Sequence, residues 1–334
     1  MEINAYACRQ TGEILEKFQY EAQELGPLDV RIQITHCGIC HSDIHLIDND
    51  WGINAYPLVP GHEIIGTITE MGDQVTGLSE GQRVGVGWQR GSCQKCSHCE
   101  RHEENVCTRM EATCVGNYGG MADAICTDSR FVIPIPDGLD SILAAPLMCA
   151  GVTVFAPMLR HGVGDGMKVA VLGIGGLGHL AIQFARALGA DVSALSSTPE
   201  KEQEARDLGA YHFIDTNNGA QMKRAGRSFD FVLNTVSANI DWPSFLSILK
   251  PHGKFCLVGA PKEPLVIPAA SLIGGQKSIA GSSIGGTEDL KRTLAYADEH
   301  DIKPKVDLLP MSQVNAGISK VRNNMARYRV VLEN

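Results

Sequence analysis

A chain of 334 residues is about twice the usual domain size of ~150, and with 44% hydrophobic residues each of two domains can bury a core, which excludes a small stapled peptide. The 36 glycines and 15 prolines fall well short of the ~25–30% combined share that marks low-complexity disorder, although glycine exceeds its average of ~7%. A net charge of −9 argues against a nonspecific grip on nucleic acid or anionic lipid and directs attention to small molecules.

The N-terminal stretch MEINAYACRQTGEILEKF carries charges throughout and has no apolar core of signal-peptide length. No later stretch runs to the ~18 uninterrupted apolar residues of a membrane span. A cytoplasmic protein with reduced thiols and no membrane partner is expected. Its eleven cysteines, an odd number that suits a disulfide framework poorly, are then metal ligands, redox groups or buried small residues.

To about Asp140, short apolar runs alternate with glycine-marked turns: DVRIQITHCG, HEIIGTITEMGDQV, GQRVGVGW and FVIPIP. Period-two runs bounded by Gly, Pro and Asp predict a mostly β domain. Two loops within it crowd potential ligands beside strands: Cys37-Gly38-Ile39-Cys40-His41-Ser42-Asp43-Ile44-His45 and Pro60-Gly61-His62-Glu63. Spacing alone allows a zinc held by Cys40 or Cys37, by His62 or Glu63, and by a distant third ligand among Cys114, Cys126, Cys149 and Cys256.

Between these runs, Cys93-x-x-Cys96-x-x-Cys99-x7-Cys107 places four thiols within fifteen residues, the spacing of a tetrahedral four-thiolate zinc. The lobe QRGSCQKCSHCERHEENVC offers almost nothing apolar, so zinc would supply its folding energy, and four thiolates leave no open position for substrate. The role is structural, with His98 and His102 as exposed bystanders. An iron–sulfur cluster and a redox dithiol are the alternatives; a nucleic-acid ribbon is disfavoured because no basic stripe accompanies the lobe.

From Met167 the pattern changes. KVAVLGIGGLGHLAIQFARALGADVSAL reads as strand, glycine turn, helix and strand, one βαβ unit of a parallel sheet. PEKEQEARDLGA (helix), YHFID (strand), DFVLNTV (strand), DWPSFLSILK (helix), GKFCLVGA (strand) and KSIAGSSIG (strand) continue it into a doubly wound nucleotide-binding domain. Residues 152–285 carry 12 basic and 10 acidic side chains, net +2, so the remainder carries −11. After Gly286, the helices EDLKRTLAYADEH and SQVNAGISKVRN and the strand RYRVVLE form a tail too short to fold alone, expected to rejoin the first domain.

Gly173-Ile174-Gly175-Gly176-Leu177-Gly178 satisfies G-x-G-x-x-G directly after a strand and at the opening of a helix, the setting in which a pyrophosphate rests on a helix N-terminus. An Asp or Glu ordinarily ends the second strand of such a unit and binds a ribose 2′-hydroxyl. Here the end reads Ser196-Ser197-Thr198-Pro199-Glu200-Lys201, three hydroxyls and a cation that suit a 2′-phosphate and favour NADP(H). The same residues also read as a helix cap with proline in the first turn.

G-I-C-H-S-D, G-H-E, the four-cysteine lobe, P-L-M-C-A-G-V-T-V-F and G-I-G-G-L-G occur together in this order. By them the chain resembles the zinc-dependent medium-chain alcohol dehydrogenases, and among them the cinnamyl-alcohol-dehydrogenase-like branch that includes broad-range NADPH-dependent aldehyde reductases. The resemblance covers essentially the whole chain. It implies an α/β fold: a GroES-like, mostly β catalytic domain over 1–151 and 286–334, a Rossmann doubly wound parallel-sheet domain over 152–285, an active site in the cleft, and a homodimer formed through the Rossmann sheet edge.

Carried onto matching positions, the resemblance implies two zinc ions per chain. Cys40, His62 and Cys149 would hold the catalytic one; Glu63 would be an alternative ligand and Asp43 the carboxylate that orients His62. Two thiolates and a neutral imidazole leave an open fourth position suited to polarising a carbonyl. Ser42 would pass a proton through the nicotinamide ribose toward His45. Cofactor contacts would come from His41, Thr153, Thr235, Val258, Ala260, Ser283, Ile284 and Arg329, besides the glycine loop and Ser196, Ser197, Thr198 and Lys201. Arg329 reads equally as a solvent-facing salt bridge.

Trp51 matches a pocket-lining aromatic, and Met121 stands where many relatives carry an aromatic residue, placing a thioether at the pocket mouth. The expected function is NADPH-dependent reduction of hydrophobic aliphatic or aromatic aldehydes to primary alcohols, reversible as alcohol oxidation. The competing expectations are an NAD-preferring polyol or secondary-alcohol dehydrogenase and a non-catalytic zinc or redox-sensing protein.

Overall fold

The computed structural model describes every residue except Lys262. The chain forms two compact units, Met1–Val152 with Gly285–Asn334, and Thr153–Ile284.

In the first unit the period-two runs become a seven-stranded sheet. Its path is Val306–Pro310, Arg329–Glu333, Asp29–Ile39, Glu63–Met71, Arg83–Val86 and Val132–Pro134, with Ala124–Asp128 also paired to Asp29–Ile39. Alternation drives it: Val30, Ile32, Ile34, Ile64, Ile68, Val84 and Val86 join one buried cluster, to which the tail adds Val330 and Leu332. The tail strand runs antiparallel beside Asp29–Ile39, with Leu332 opposite Cys37 and Val331 opposite Gly38. A separate hairpin, Glu2–Ala7 with Glu16–Glu21, turns Ile3, Ala5 and Ala7 into the same core.

The second unit is a six-stranded parallel sheet in the order His212–Asp215, Asp191–Ser196, Lys168–Leu172, Phe229–Asn234, Leu249–Leu257, Ser278–Gly281. Numbered along the chain this is 3-2-1-4-5-6, the doubly wound order, and the order in which strands are added reverses beside Lys168–Leu172, where such sheets bind dinucleotides. One boundary differs from the expectation. The helix expected over DWPSFLSILK stops at Ser247, because Leu249 is taken into the sheet opposite Phe229.

A second difference concerns membrane-like apolarity. The helical run Ser141–Arg160 has a mean hydropathy of 2.0 over a span-length window, long and apolar enough to cross a membrane although Pro, Gly and Thr interrupt it. It is 83% buried inside the protein, as a core helix is. All eleven cysteines are free thiols.

Candidate active site and metal centres

Cys40 caps the helix His41–Ile47, and Asp43 in its first turn folds back to accept the Cys40 backbone N–H at 2.8 Å. The other Asp43 oxygen accepts the Gly61 N–H at 2.9 Å and lies 3.2 Å from His62 Nδ1. Asp43 and His62 are fully buried. A carboxylate only accepts, so Nδ1 carries the imidazole proton and Nε2 presents its lone pair. That buried Nε2 has no hydrogen-bond partner, and neither has Glu63 Oε2.

Cys149, in the π-helical turn Leu147–Gly151, brings its sulfur to 4.0 Å from that of Cys40. Ligand atoms of Cys40, His62, Glu63 and Cys149 all lie within 4.8 Å of one another. Two thiolates on a tetrahedral zinc with ~2.3 Å bonds sit ~3.8 Å apart, so the spacing fits. The charges agree. A hydrogen bond from Cys149 holds the Cys40 thiol well below its usual range, while the same interaction and burial push Cys149 up. Burial opposes a charged His62, but the negative Asp43 and Cys149 outweigh it and favour positive charge there. The orphaned imidazole nitrogen and two sulfurs at zinc-ligand spacing are what a divalent cation resolves.

Glu63 is paired with Arg329. Burial raises the Glu63 carboxyl to about 7, with Arg329 pulling the other way. Arg329 is only 5% exposed, so its ion pair is internal; the solvent-facing alternative is ruled out by its place in the sheet beside Asp29–Ile39.

The second thiol cluster is equally compact. Cys93, Cys96, Cys99 and Cys107 hold their sulfurs within 4.8 Å, with Cys93 and Cys99 at 3.9 Å and Cys96 and Cys99 at 3.6 Å. The Lys95 backbone N–H leads the contacts that lower Cys93 to about 6. His98 pairs with Glu103 and His102 is exposed, so neither enters the cluster. Glu104, which sequence reasoning left unassigned, is buried and accepts the backbone N–H of Thr287 at 3.1 Å and its hydroxyl at 3.2 Å. It thereby ties the lobe to the first turn of the helix Thr287–Glu299, where a carboxylate is favoured by the helix dipole.

His45 and Ser42 lie three residues apart on one helix, hence on one face. His45 Nδ1 is 2.7 Å from Asp50, and its ring packs on half-exposed Trp51 at 5.3 Å. Trp51 meets Trp88 edge-on at 6.1 Å, and Trp88 stands perpendicular to His62 at 4.9 Å. Asp50 and Trp88 were missed; the only signals were an acid beside Trp51 and an aromatic ending the strand GQRVGVGW. Met121 does not line a pocket mouth. It is fully buried in the core, its backbone bonded to Tyr6 and Pro60, which turns the thioether inward. Cys114, one of the cysteines that spacing left open as a third ligand, lies against His62 and Asp43.

In the second unit the glycines of the loop differ in their surroundings. Gly173 has φ +92°, a side chain at Gly178 would meet the Gly173 carbonyl at 1.9 Å, and nothing lies within 4 Å of where one would project from Gly175. That open face leaves room for a pyrophosphate. His179, unremarked in the sequence, is buried and bonds the Gly175 carbonyl at 2.9 Å. Lys201 donates to the Ile174 carbonyl at 2.7 Å, bringing its ammonium to the glycine loop. Ser197 and Thr198 are exposed at the end of the second strand, Ser196 Oγ accepts the Thr198 N–H, and Glu202 is turned to Arg206. Thr235 donates to the Leu172 carbonyl at 2.8 Å, beside Gly173. Thr153 is buried, Val258 half-buried and Ala260 exposed; Ser283 is exposed and Ile284, with φ +39°, half-buried. His41 is exposed at the start of its helix.

Residues 26–137 match the alcohol dehydrogenase GroES-like domain and residues 176–299 the zinc-binding dehydrogenase domain. The chain is 42% identical to the aldehyde reductase AdhA of Synechocystis sp. over 330 residues, covering 99% of this chain and 98% of that protein. Among solved structures, a cinnamyl alcohol dehydrogenase of Sorghum bicolor superposes with a TM-score of 0.96 at 38% identity, covering 100% of this chain and 98% of that one. A cinnamyl alcohol dehydrogenase of Helicobacter pylori complexed with NADP(H) gives 0.93 at 32% identity, covering 100% and 98%. The chain therefore belongs to the zinc-binding medium-chain alcohol dehydrogenases, in their cinnamyl-alcohol-dehydrogenase-like branch.

Proposed function

We propose that this alcohol dehydrogenase, an aldehyde reductase by its relatives, uses NADPH to reduce hydrophobic aliphatic or aromatic aldehydes to primary alcohols, and runs in reverse as an alcohol oxidation. The observation that carries the cofactor choice is the end of the strand Asp191–Ser196. The position usual for a ribose-binding carboxylate holds Ser197 and Thr198, and Lys201 stands at the glycine loop. The relative complexed with NADP(H) supports the same reading.

Cys40, His62 and Cys149 would hold the catalytic zinc, and Cys93, Cys96, Cys99 and Cys107 a structural one. When bound, zinc supplies a Lewis acid for the carbonyl oxygen and NADPH supplies the hydride. Asp43 fixes the His62 tautomer through Nδ1. Ser42 holds a proton at Oγ for the product alcohol, and His45, its Nδ1 engaged by Asp50, exchanges protons with solvent through Nε2. Glu63, locked to Arg329, stands in reserve as a ligand. Trp51 and Trp88 shield the His62 side from water and give an apolar wall on which an aromatic or alkyl substrate packs. Thr153, Thr235, Val258, Ala260, Ser283 and Ile284, with His41 and Arg329, are assigned to the rest of the cofactor.

We also infer a cytoplasmic homodimer formed along Ser278–Gly281, the edge strand of the six-stranded sheet. Steady-state rates with each cofactor on an aldehyde panel test the main reading. A kcat/KM favouring NADPH, shifted toward NADH by Ser197→Asp, is expected. A preference for NADH, or a ratio indifferent to the substitution, contradicts the cofactor assignment. A zinc-replete sample that oxidises NADPH with no aldehyde contradicts the catalytic one.

A further inference from the structure

The first unit contains a cavity of about 360 Å³ in which the zinc ligands, Ser42 and His45 take no part. Its volume lies in the range of small-molecule sites. Three tyrosines, Tyr20, Tyr56 and Tyr118, line it together with Ile3, Pro57 and Ile125. The wall is stiff. Tyr20 and Tyr118 pack ring against ring at 4.4 Å, Phe18 backs both at 5.9 and 5.4 Å, and the Tyr56 hydroxyl is anchored on the Ile47 carbonyl at 3.1 Å.

The cavity also holds a guanidinium with unspent capacity. Arg90 is half-buried and donates one hydrogen bond, from Nη2 to the Cys126 carbonyl at 2.9 Å; among the described residues no carboxylate lies within ion-pair distance of it. A guanidinium has five N–H donors in a planar fork that matches a carboxylate. The other charges nearby are already matched. Arg31, in the strand beside Cys126, is paired with Glu70, and Glu21 on the cavity wall faces the amino terminus at 3.4 Å. Burial pushes the Tyr20 phenol well above its usual range, so its hydroxyl stays protonated and able to donate.

Aromatic walls, a phenol donor and one unmatched planar cation define a complementary ligand: an aromatic ring bearing one carboxylate. We propose that this cavity is a second small-molecule site, separate from the catalytic centre, that binds aromatic monocarboxylates with Arg90 on the carboxylate and the tyrosines on the ring. The proposal depends on neither the cofactor nor the aldehyde assignment.

Calorimetric titration of the zinc-replete protein with benzoate, and with benzamide as its uncharged counterpart, tests it. One benzoate per chain is expected, bound at least about tenfold more tightly than benzamide, as a charge-assisted contact requires. Arg90→Gln should erase that preference, Arg90→Lys should restore part of it, and Tyr118→Leu, which leaves the cation in place, should weaken both ligands. Aldehyde reduction by Arg90→Gln should match the parent. Equal affinity for the two ligands overturns the proposal. So does benzoate binding that Arg90→Gln and Tyr118→Leu leave intact, or that competes with the aldehyde, since either places the anion on the catalytic zinc instead.

Discussion

Asp43 is the residue on which the proposed catalytic centre turns. One carboxylate receives the Cys40 N–H, the Gly61 N–H and His62 Nδ1, so it fixes both loops that carry the proposed ligands and leaves Nε2 as the imidazole nitrogen free to bind a metal. Asparagine is nearly isosteric but replaces one acceptor oxygen with a donor, which must then face one of these N–H groups. Asp43→Asn is expected to weaken catalytic zinc binding by ~10–100-fold while sparing the four-cysteine zinc. Metal analysis after dialysis against a graded chelator reads this as a chain that retains one zinc when the parent retains two. Two equally retained ions would show that Asp43 is not the determinant.

At the scale of elements, the four-cysteine lobe is held by more than the zinc proposed for it. Glu104 joins it to the helix Thr287–Glu299 across 183 residues of chain, with its carboxylate buried against a helix N-terminus. Glu104→Gln keeps the shape but removes the charge and one acceptor. It should cost about 1–3 kcal/mol of stability, the range for a buried bond to a charged group. Denaturant unfolding checks it, and a variant as stable as the parent would mean that the lobe is held by zinc alone. The contrast shows what the sequence makes legible. The Cys93–Cys107 quartet and the glycine loop are visible because all their parts fall within fifteen residues and one turn type. The third catalytic ligand was not derivable that way: Cys149 lies 109 positions from Cys40, and spacing left it level with three other cysteines until the resemblance chose. Glu104, Trp88 and Asp50 act through partners assembled by folding. Met121 misled because its place in the sequence pattern says nothing of which way the side chain turns.

At the scale of the whole molecule, two units with different grammars, period-two strands and alternating strand and helix, share one chain, and the tail strand Arg329–Glu333 returns to the sheet of the first unit. That return is why Arg329 can meet Glu63 across 266 residues. In the second unit the edge strand Ser278–Gly281 is unpaired on one side among the described residues, and the segment leading to it exposes Val266 and Ile273, at 76% and 75%. Apolar side chains beside an open sheet edge suit a self-complementary interface. The double variant Val266→Asp/Ile273→Asp is expected to halve the mass measured by light scattering. An unchanged mass moves the interface elsewhere.

Aldehyde reduction is proposed to depend on a cation held by Cys40, His62 and Cys149. It is tested most directly by measuring NADPH oxidation with an aldehyde for the parent and for Cys40→Ser, with zinc counted in the same samples. Two zinc ions and turnover are expected in the parent, and one zinc, an intact fold and no turnover in the variant. Turnover at the parental rate from a variant holding a single zinc would contradict it.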